Sequence, residues 1–186
     1  YSNVSLGNEA GYSLTTARKN VAVGNQAGYS MSTGTGSVMV GETAGVYNTN
    51  NYAIGIGYNA LGGNTSGDGN IAIGKDALKV NTTGNYNTTL GYESLYSNVD
   101  GDYNVAIGFQ TLYTMEPADG VGKNVGVGAK ALYGVTTGTG NIGIGYRAGH
   151  KVTTTDNNIA IGNAAMEDAV GAGSTIAIGP ASGYNP

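Results

Sequence analysis

The chain has 186 residues, of which 34 are glycine, three are proline and none is cysteine; only 11% are charged and the net charge is −4. The missing cysteines exclude thiol catalysis, disulfide staples and cysteine-based zinc sites. Without a basic surplus there is no electrostatic footprint for nucleic acid or an anionic membrane, and the scarce proline excludes collagen and proline-rich linkers.

A marker glycine recurs along the chain at Gly7, Gly24, Gly41, Gly57, Gly74, Gly91, Gly108, Gly128, Gly145, Gly162 and Gly179. Every interval is 17 residues except 16 before Gly57 and 20 before Gly128. A fixed period this short is the signature of a solenoid, in which each unit leans on its neighbours. Residues 1–186 are therefore read as a single β-roll repeat domain. Tyr1 is not a methionine and both ends fall at a repeat edge, so the expectation is a head or shaft segment of a longer fibre protein. No apolar run reaches the roughly 20 residues of a membrane helix, so no membrane insertion by this segment is expected.

Taken in chain order, a strand is predicted before each glycine. The first reads Val4-Ser5-Leu6, followed by Val21-Ala22-Val23, Val38-Met39-Val40, Ile54-Gly55-Ile56, Ile71-Ala72-Ile73 and Thr88-Thr89-Leu90. The series continues with Val105-Ala106-Ile107, Val125-Gly126-Val127, Ile142-Gly143-Ile144, Ile159-Ala160-Ile161 and Ile176-Ala177-Ile178. Aliphatic and small side chains alternate with period two, which is a strand signal. Three and four residues after each glycine stands a second pattern, such as Ala77-Leu78 or Ala27-Gly28. It predicts a second short strand or a bend. Stretches such as Asn81-Thr82-Thr83-Gly84 are turn chemistry. Two packed helices do not fit in 17 residues, so the fold class is all-β: a parallel β-roll solenoid of about eleven coils.

Asparagine precedes the first aliphatic residue in eight units: Asn3, Asn20, Asn70, Asn87, Asn104, Asn124, Asn141 and Asn158. Stacked coils would place these amides about 4.8 Å apart, as a structural ladder of hydrogen bonds. So thin a coil buries little apolar surface against an ordering cost of about 1–2 kcal/mol per residue. Self-association is therefore expected, with the small residues between the paired aliphatics letting sheets of neighbouring chains approach. The assembly read from this is a homotrimer of three rolls side by side.

The units Asn-Ile-Ala-Ile-Gly at 70–74 and 158–162, and their variants at 20–24 and 104–108, resemble the head repeats of trimeric autotransporter adhesins. The longer phrase at 70–86 is more similar still to repeats of phage tail-fibre-like proteins. The resemblance implies a left-handed parallel β-roll that trimerises and, in many tail-fibre relatives, a cleaved C-terminal chaperone domain. Its 17-residue period is longer than is usual in adhesin heads, so different loops are expected. The implied setting is extracellular, on a bacterial cell surface or a virion tail fibre. The implied partners are copies of itself and a glycan or envelope component of a host or prey cell.

Gly69 to Lys75 has the outline of a phosphate-binding loop, but Asp76 stands where Ser or Thr is needed. Gly138, Gly140 and Gly143 precede a strand instead of following one, the wrong context for a dinucleotide. His150 is the only histidine and shares a repeat position with Tyr12, Tyr29, Tyr96, Tyr113, Tyr133 and Tyr184. Asp100, Asp102 and Glu93 lack the pattern of a calcium-binding roll. No catalytic residue, metal or cofactor is expected, and no enzyme. The ligand-binding candidates are the tyrosine column, an amphipathic strip suited to sugar or protein, and Met115, Glu116 and Asp119 in the long interval, expected to bulge as a loop. Two alternatives stand beside the adhesive fibre. One is ice binding through a threonine ladder at Thr15, Thr49, Thr65, Thr82, Thr136 and Thr153. The other is a polysaccharide-degrading tail spike.

Overall fold

The protein is an all-β parallel solenoid with no helix among the described residues. The computed structural model describes residues 2–116, 120, 122–169 and 173–183. Each strand is three residues long: β1 Val4–Leu6, β2 Val21–Val23, β3 Val38–Val40, β4 Ile54–Ile56, β5 Ile71–Ile73 and β6 Thr88–Leu90. They are followed by β7 Val105–Ile107, β8 Val125–Val127, β9 Ile142–Ile144, β10 Ile159–Ile161 and β11 Ile176–Ile178. All eleven form one sheet in sequence order. Equivalent residues pair in register, as in Ile71 with Thr88 and Ile73 with Leu90. About ten turns therefore stack with like residues in columns.

The marker glycine closes each strand by a backbone turn that other residues cannot make. Gly41 has φ +133°, and a Cβ added there would stand 2.5 Å from the carbonyl oxygen of Gly57 in the next coil. Both the dihedral and the close approach demand glycine.

One strand per coil is found, not two. The Ala-Leu or Ala-Gly pair after the marker glycine lies in a bend, with Leu61, Leu78, Leu95, Leu112 and Leu132 in the left-handed region at φ between 51° and 55° except Leu78 at 49°. That conformation aims the leucine into the coil, where all five are fully buried. Where glycine replaces leucine, another apolar group supplies the volume. Met31 reaches over Gly28, Met39 over Gly45, and Val152 and Leu132 over Gly149. Shape is thus conserved along the rod although the residue that provides it changes.

The strand alternation runs opposite to a packing in which the aliphatics line the coil and the small residues face a neighbour. Ala22, Met39, Ala72, Ala106 and Ala160 point inward and are buried, while the flanking valines and isoleucines point outward. Period two forces this choice. A coil of 17 residues encloses too little room for two β-branched side chains per strand, so the single centre residue takes the inside, small in most coils and replaced by Met39 where Gly45 leaves the room.

Buried asparagines satisfy the backbone where the coil turns. Asn87 Oδ1 accepts the backbone N–H of Asn104 at 2.9 Å, and Asn87 Nδ2 donates to the Gly101 carbonyl of the following coil at 2.8 Å. Asn3, Asn20, Asn70, Asn104, Asn124 and Asn141 likewise accept from the backbone N–H of the following coil. Asn158 does the same to Thr175 at 3.2 Å. A second ladder runs through Asn48, Asn64, Asn81 and Asn98, each Nδ2 donating to the preceding Oδ1 at 2.7–2.8 Å. The turn-forming asparagine of Asn81-Thr82-Thr83-Gly84 is a member of it, and its spacing from the marker glycine is the signal in the sequence that identifies the set.

Candidate functional site

Three aromatic columns run up the outside of the rod. The first lies five residues after the marker glycine. Tyr12 stacks on Tyr29 at 5.0 Å, and Tyr96, Tyr113, Tyr133 and His150 form one continuous stack at 5.2–5.3 Å between ring centres. The Lys79 ammonium covers the free face of Tyr96 at 5.4 Å. Tyr184 lies outside the described residues.

Stacking changes what this column offers. A sugar ring packs against an open aromatic face, but here the faces within the stack are turned to one another. Ring edges and phenol hydroxyls are what the column presents to solvent. Burial among its neighbours, with the Glu93 carboxylate nearby, pushes the Tyr113 phenol above its ordinary pKa. Burial lowers the His150 pKa, and the Arg147 guanidinium lowers it further.

The second column, directly after the marker glycine, was not among the expected sites. Tyr92 stacks on Phe109 at 5.5 Å. Lys75 inserts its ammonium between Tyr58 and Tyr92, 5.6 Å and 5.0 Å from the two ring centres. Its Nζ also pairs with Asp76 at 2.7 Å, and Lys79 joins the same carboxylate at 3.2 Å. Burial of Asp76 opposes its ionisation, but hydrogen bonds from Lys75, Lys79 and Asn59 outweigh it and hold the carboxyl below the usual range. Lys75 is thereby committed to a carboxylate and two rings, not to a phosphate.

The third column lies five residues before the marker glycine, at Tyr52, Tyr86 and Tyr103. Tyr86 and Tyr103 stack at 5.5 Å. All three tyrosines are exposed and left-handed, with φ of 55–58°. Constant offsets from the marker, one residue after it and five before it, make both extra columns readable once the register is set.

The long interval divides differently from a free loop. Met115 is fully buried and fills the coil core beside Leu112, in the role that Val135 takes one coil on. It is thus withdrawn from solvent as a ligand contact. Glu116 is exposed, its backbone N–H bonded to the Thr136 carbonyl at 2.8 Å. Asp119 lies outside the described residues.

The threonine hydroxyls turn along the rod. Thr15, Thr49, Thr65, Thr82 and Thr136 each donate to a carbonyl of the next coil at 2.6–3.4 Å. Asp102 accepts from the Asn85 backbone at 2.6 Å, as one rung of a ladder with Asn51, Asp68 and Asn85. No group of three or more metal-ligating side chains is gathered among the described residues. Also among them, no helix is long and apolar enough to cross a membrane.

Comparison with family models, with curated proteins and with solved structures finds no match to this chain.

Proposed function

We propose that this chain is a non-catalytic segment of a homotrimeric fibre, exposed on a bacterial surface or a virion, that presents its aromatic columns to a glycan or envelope component of another cell. The observation that carries the reading is the outer face of the sheet. Two columns of aliphatic side chains run its whole length, broken only by Thr88. Val4, Leu6, Ile56, Leu90, Ile144, Ile176 and Ile178 are exposed on it.

Eleven strands three residues wide make a flat apolar strip of about 50 by 10 Å, roughly 500 Å². That lies near the top of what soluble monomers leave open, about 300–600 Å², and such patches commonly mark interfaces. A second copy is the occupant that suits it best, because its own strip has the same length, the same flatness and no charge. Three copies around an axis would hide all three strips. The roll is left-handed in this reading, following the adhesin-like repeats. The stacked tyrosines, with the Glu93, Gln110, Lys130 and Arg147 row between the first two columns, then supply hydrogen-bonding edges and charges for a polar, repetitive ligand.

The native mass of the purified protein tests the assembly. A trimer is expected, and the double variant Ile71→Lys, Ile73→Lys should run as a folded monomer. A wild-type monomer at micromolar concentration overturns the trimeric reading. A glycan array tests the ligand, with Tyr113→Ala expected to reduce the signal; silence across the array leaves a spacer without a receptor.

A further inference from the structure

The second and third aromatic columns contain the same geometric step, filled in one and open in the other. In the second, Tyr58 and Tyr92 stand two coils apart, and the intervening residue, Lys75, places its ammonium between them. In the third, Tyr52 and Tyr86 stand two coils apart and the intervening residue is Gly69. Register is held by backbone bonds from Tyr52 to Thr35, Gly69 to Asn51 and Tyr86 to Asp68, at 2.9, 3.2 and 3.0 Å.

Two coil spacings amount to about 9.6 Å, which leaves a gap of roughly 6 Å between facing ring surfaces. Both rings lean alike toward the glycine below. A Cβ on Gly36 would stand 3.0 Å from Tyr52 Cδ1, and one on Gly69 would stand 2.7 Å from Tyr86 Cδ1. The common lean preserves the step. Tyr52 is 68% exposed and Tyr86 57%, so the step opens to solvent.

Charge completes the parallel. Asp76 adjoins Lys75 in the filled step, and Asp68 adjoins Gly69 in the open one. Asp68 Oδ1 serves the ladder by accepting the Asn51 N–H at 3.0 Å. Asp68 belongs to none of the ion pairs formed among the described residues. Two ring faces and a neighbouring carboxylate are the elements that recognise alkylammonium groups, with the cation within about 6 Å of each ring centre.

We infer that the step formed by Tyr52, Gly69 and Tyr86, with Asp68 beside it, is a binding site for an alkylammonium group from outside the chain. A quaternary head group suits it best. Its cation is weakly hydrated and its width matches the gap, whereas a primary ammonium gives up more water.

The test is proton NMR of choline titrated with the intact protein, with Nα-acetyl-lysine amide as a second arm that separates a choline head group from a lysine side chain. A saturable upfield shift of the N-methyl signal is expected. Tyr52→Leu and Tyr86→Leu should each weaken binding about tenfold. Gly69→Lys should abolish it by filling the step from within. Lys19 and Lys123 already occupy this column at φ 56° and 52°, so its backbone admits a lysine, and the Tyr86 ring, 2.7 Å from the added Cβ, must swing aside to take it. Binding of the lysine amide alone would assign the site to protein side chains. No saturable shift with either compound, or equal shifts in the wild type and Gly69→Lys, overturns the site.

Discussion

Asn87 Oδ1 accepts two hydrogen bonds from Asn104, one from its backbone N–H at 2.9 Å and one from its side-chain Nδ2 at 3.0 Å. One buried amide oxygen thus ties successive coils twice, while the Nδ2 of the same side chain donates to the Gly101 carbonyl of that following coil. A thin solenoid with many polar backbone groups near its centre depends on such partners, since each unpaired buried group costs about 1–3 kcal/mol.

Asn87→Ala leaves the backbone N–H and the side-chain Nδ2 of Asn104 without partners and the Gly101 carbonyl with Asn98 Nδ2 as its one remaining donor, and should cost about 2–4 kcal/mol in denaturant unfolding. Asn25→Ala removes only an exposed rung, the 3.0 Å bond from Asn8. Its effect should stay within about 0.5 kcal/mol. Equal effects at the two sites would show that burial of the ladder contributes nothing.

Gly41→Ala combines an unsuitable dihedral with a collision against the Gly57 carbonyl, and should cost about 3 kcal/mol or more. Gly179 has a similar φ of +118° but nothing within 4 Å of an added Cβ. Gly179→Ala should therefore show backbone strain alone, about 1–3 kcal/mol. The difference in melting temperature between the two variants reads the closeness of coil to coil.

His150 has its pKa lowered by burial and by Arg147, with Lys130 and Lys151 acting in the same direction and Glu167 against them. The unfolded chain therefore takes up a proton first as the pH falls. This contribution to stability is complete above about pH 6.5, the ordinary histidine value, and is lost as the pH drops toward the lower folded value. His150→Phe keeps a ring on Tyr133 and should flatten the urea midpoint between pH 7 and pH 5. An unchanged slope in the variant would assign the dependence to other groups.

Asp76 has its pKa lowered in the folded state, so its contribution has the opposite origin and a lower window. The stabilisation is present above the ordinary carboxylate value of about 3.9 and is lost as the pH falls through the folded value. Asp76→Asn should destabilise the protein at pH 7 by about 1–2 kcal/mol, with the gap from wild type closing in acid. Circular dichroism melts at pH 7 and pH 3 measure it.

The period of 17 residues determined the solenoid, the single parallel sheet and the columns, because a repeating unit has one way to stack that keeps like beside like. The Asn20 and Asn87 positions were legible for the same reason: a polar amide at a constant offset from a glycine must meet its own copies. Which way each strand faces was not legible, since Ile71-Ala72-Ile73 alternates equally well with either face inside. Only the tertiary structure decided it, because the volume enclosed by one coil admits Ala72 and excludes the isoleucines. It also decided that Leu78 turns inward from a left-handed bend, that Met115 belongs to the core, and that the tyrosine faces are turned to one another. Each of these depends on how far apart neighbouring coils stand, a distance carried by the stacked backbone and by no single stretch of the chain.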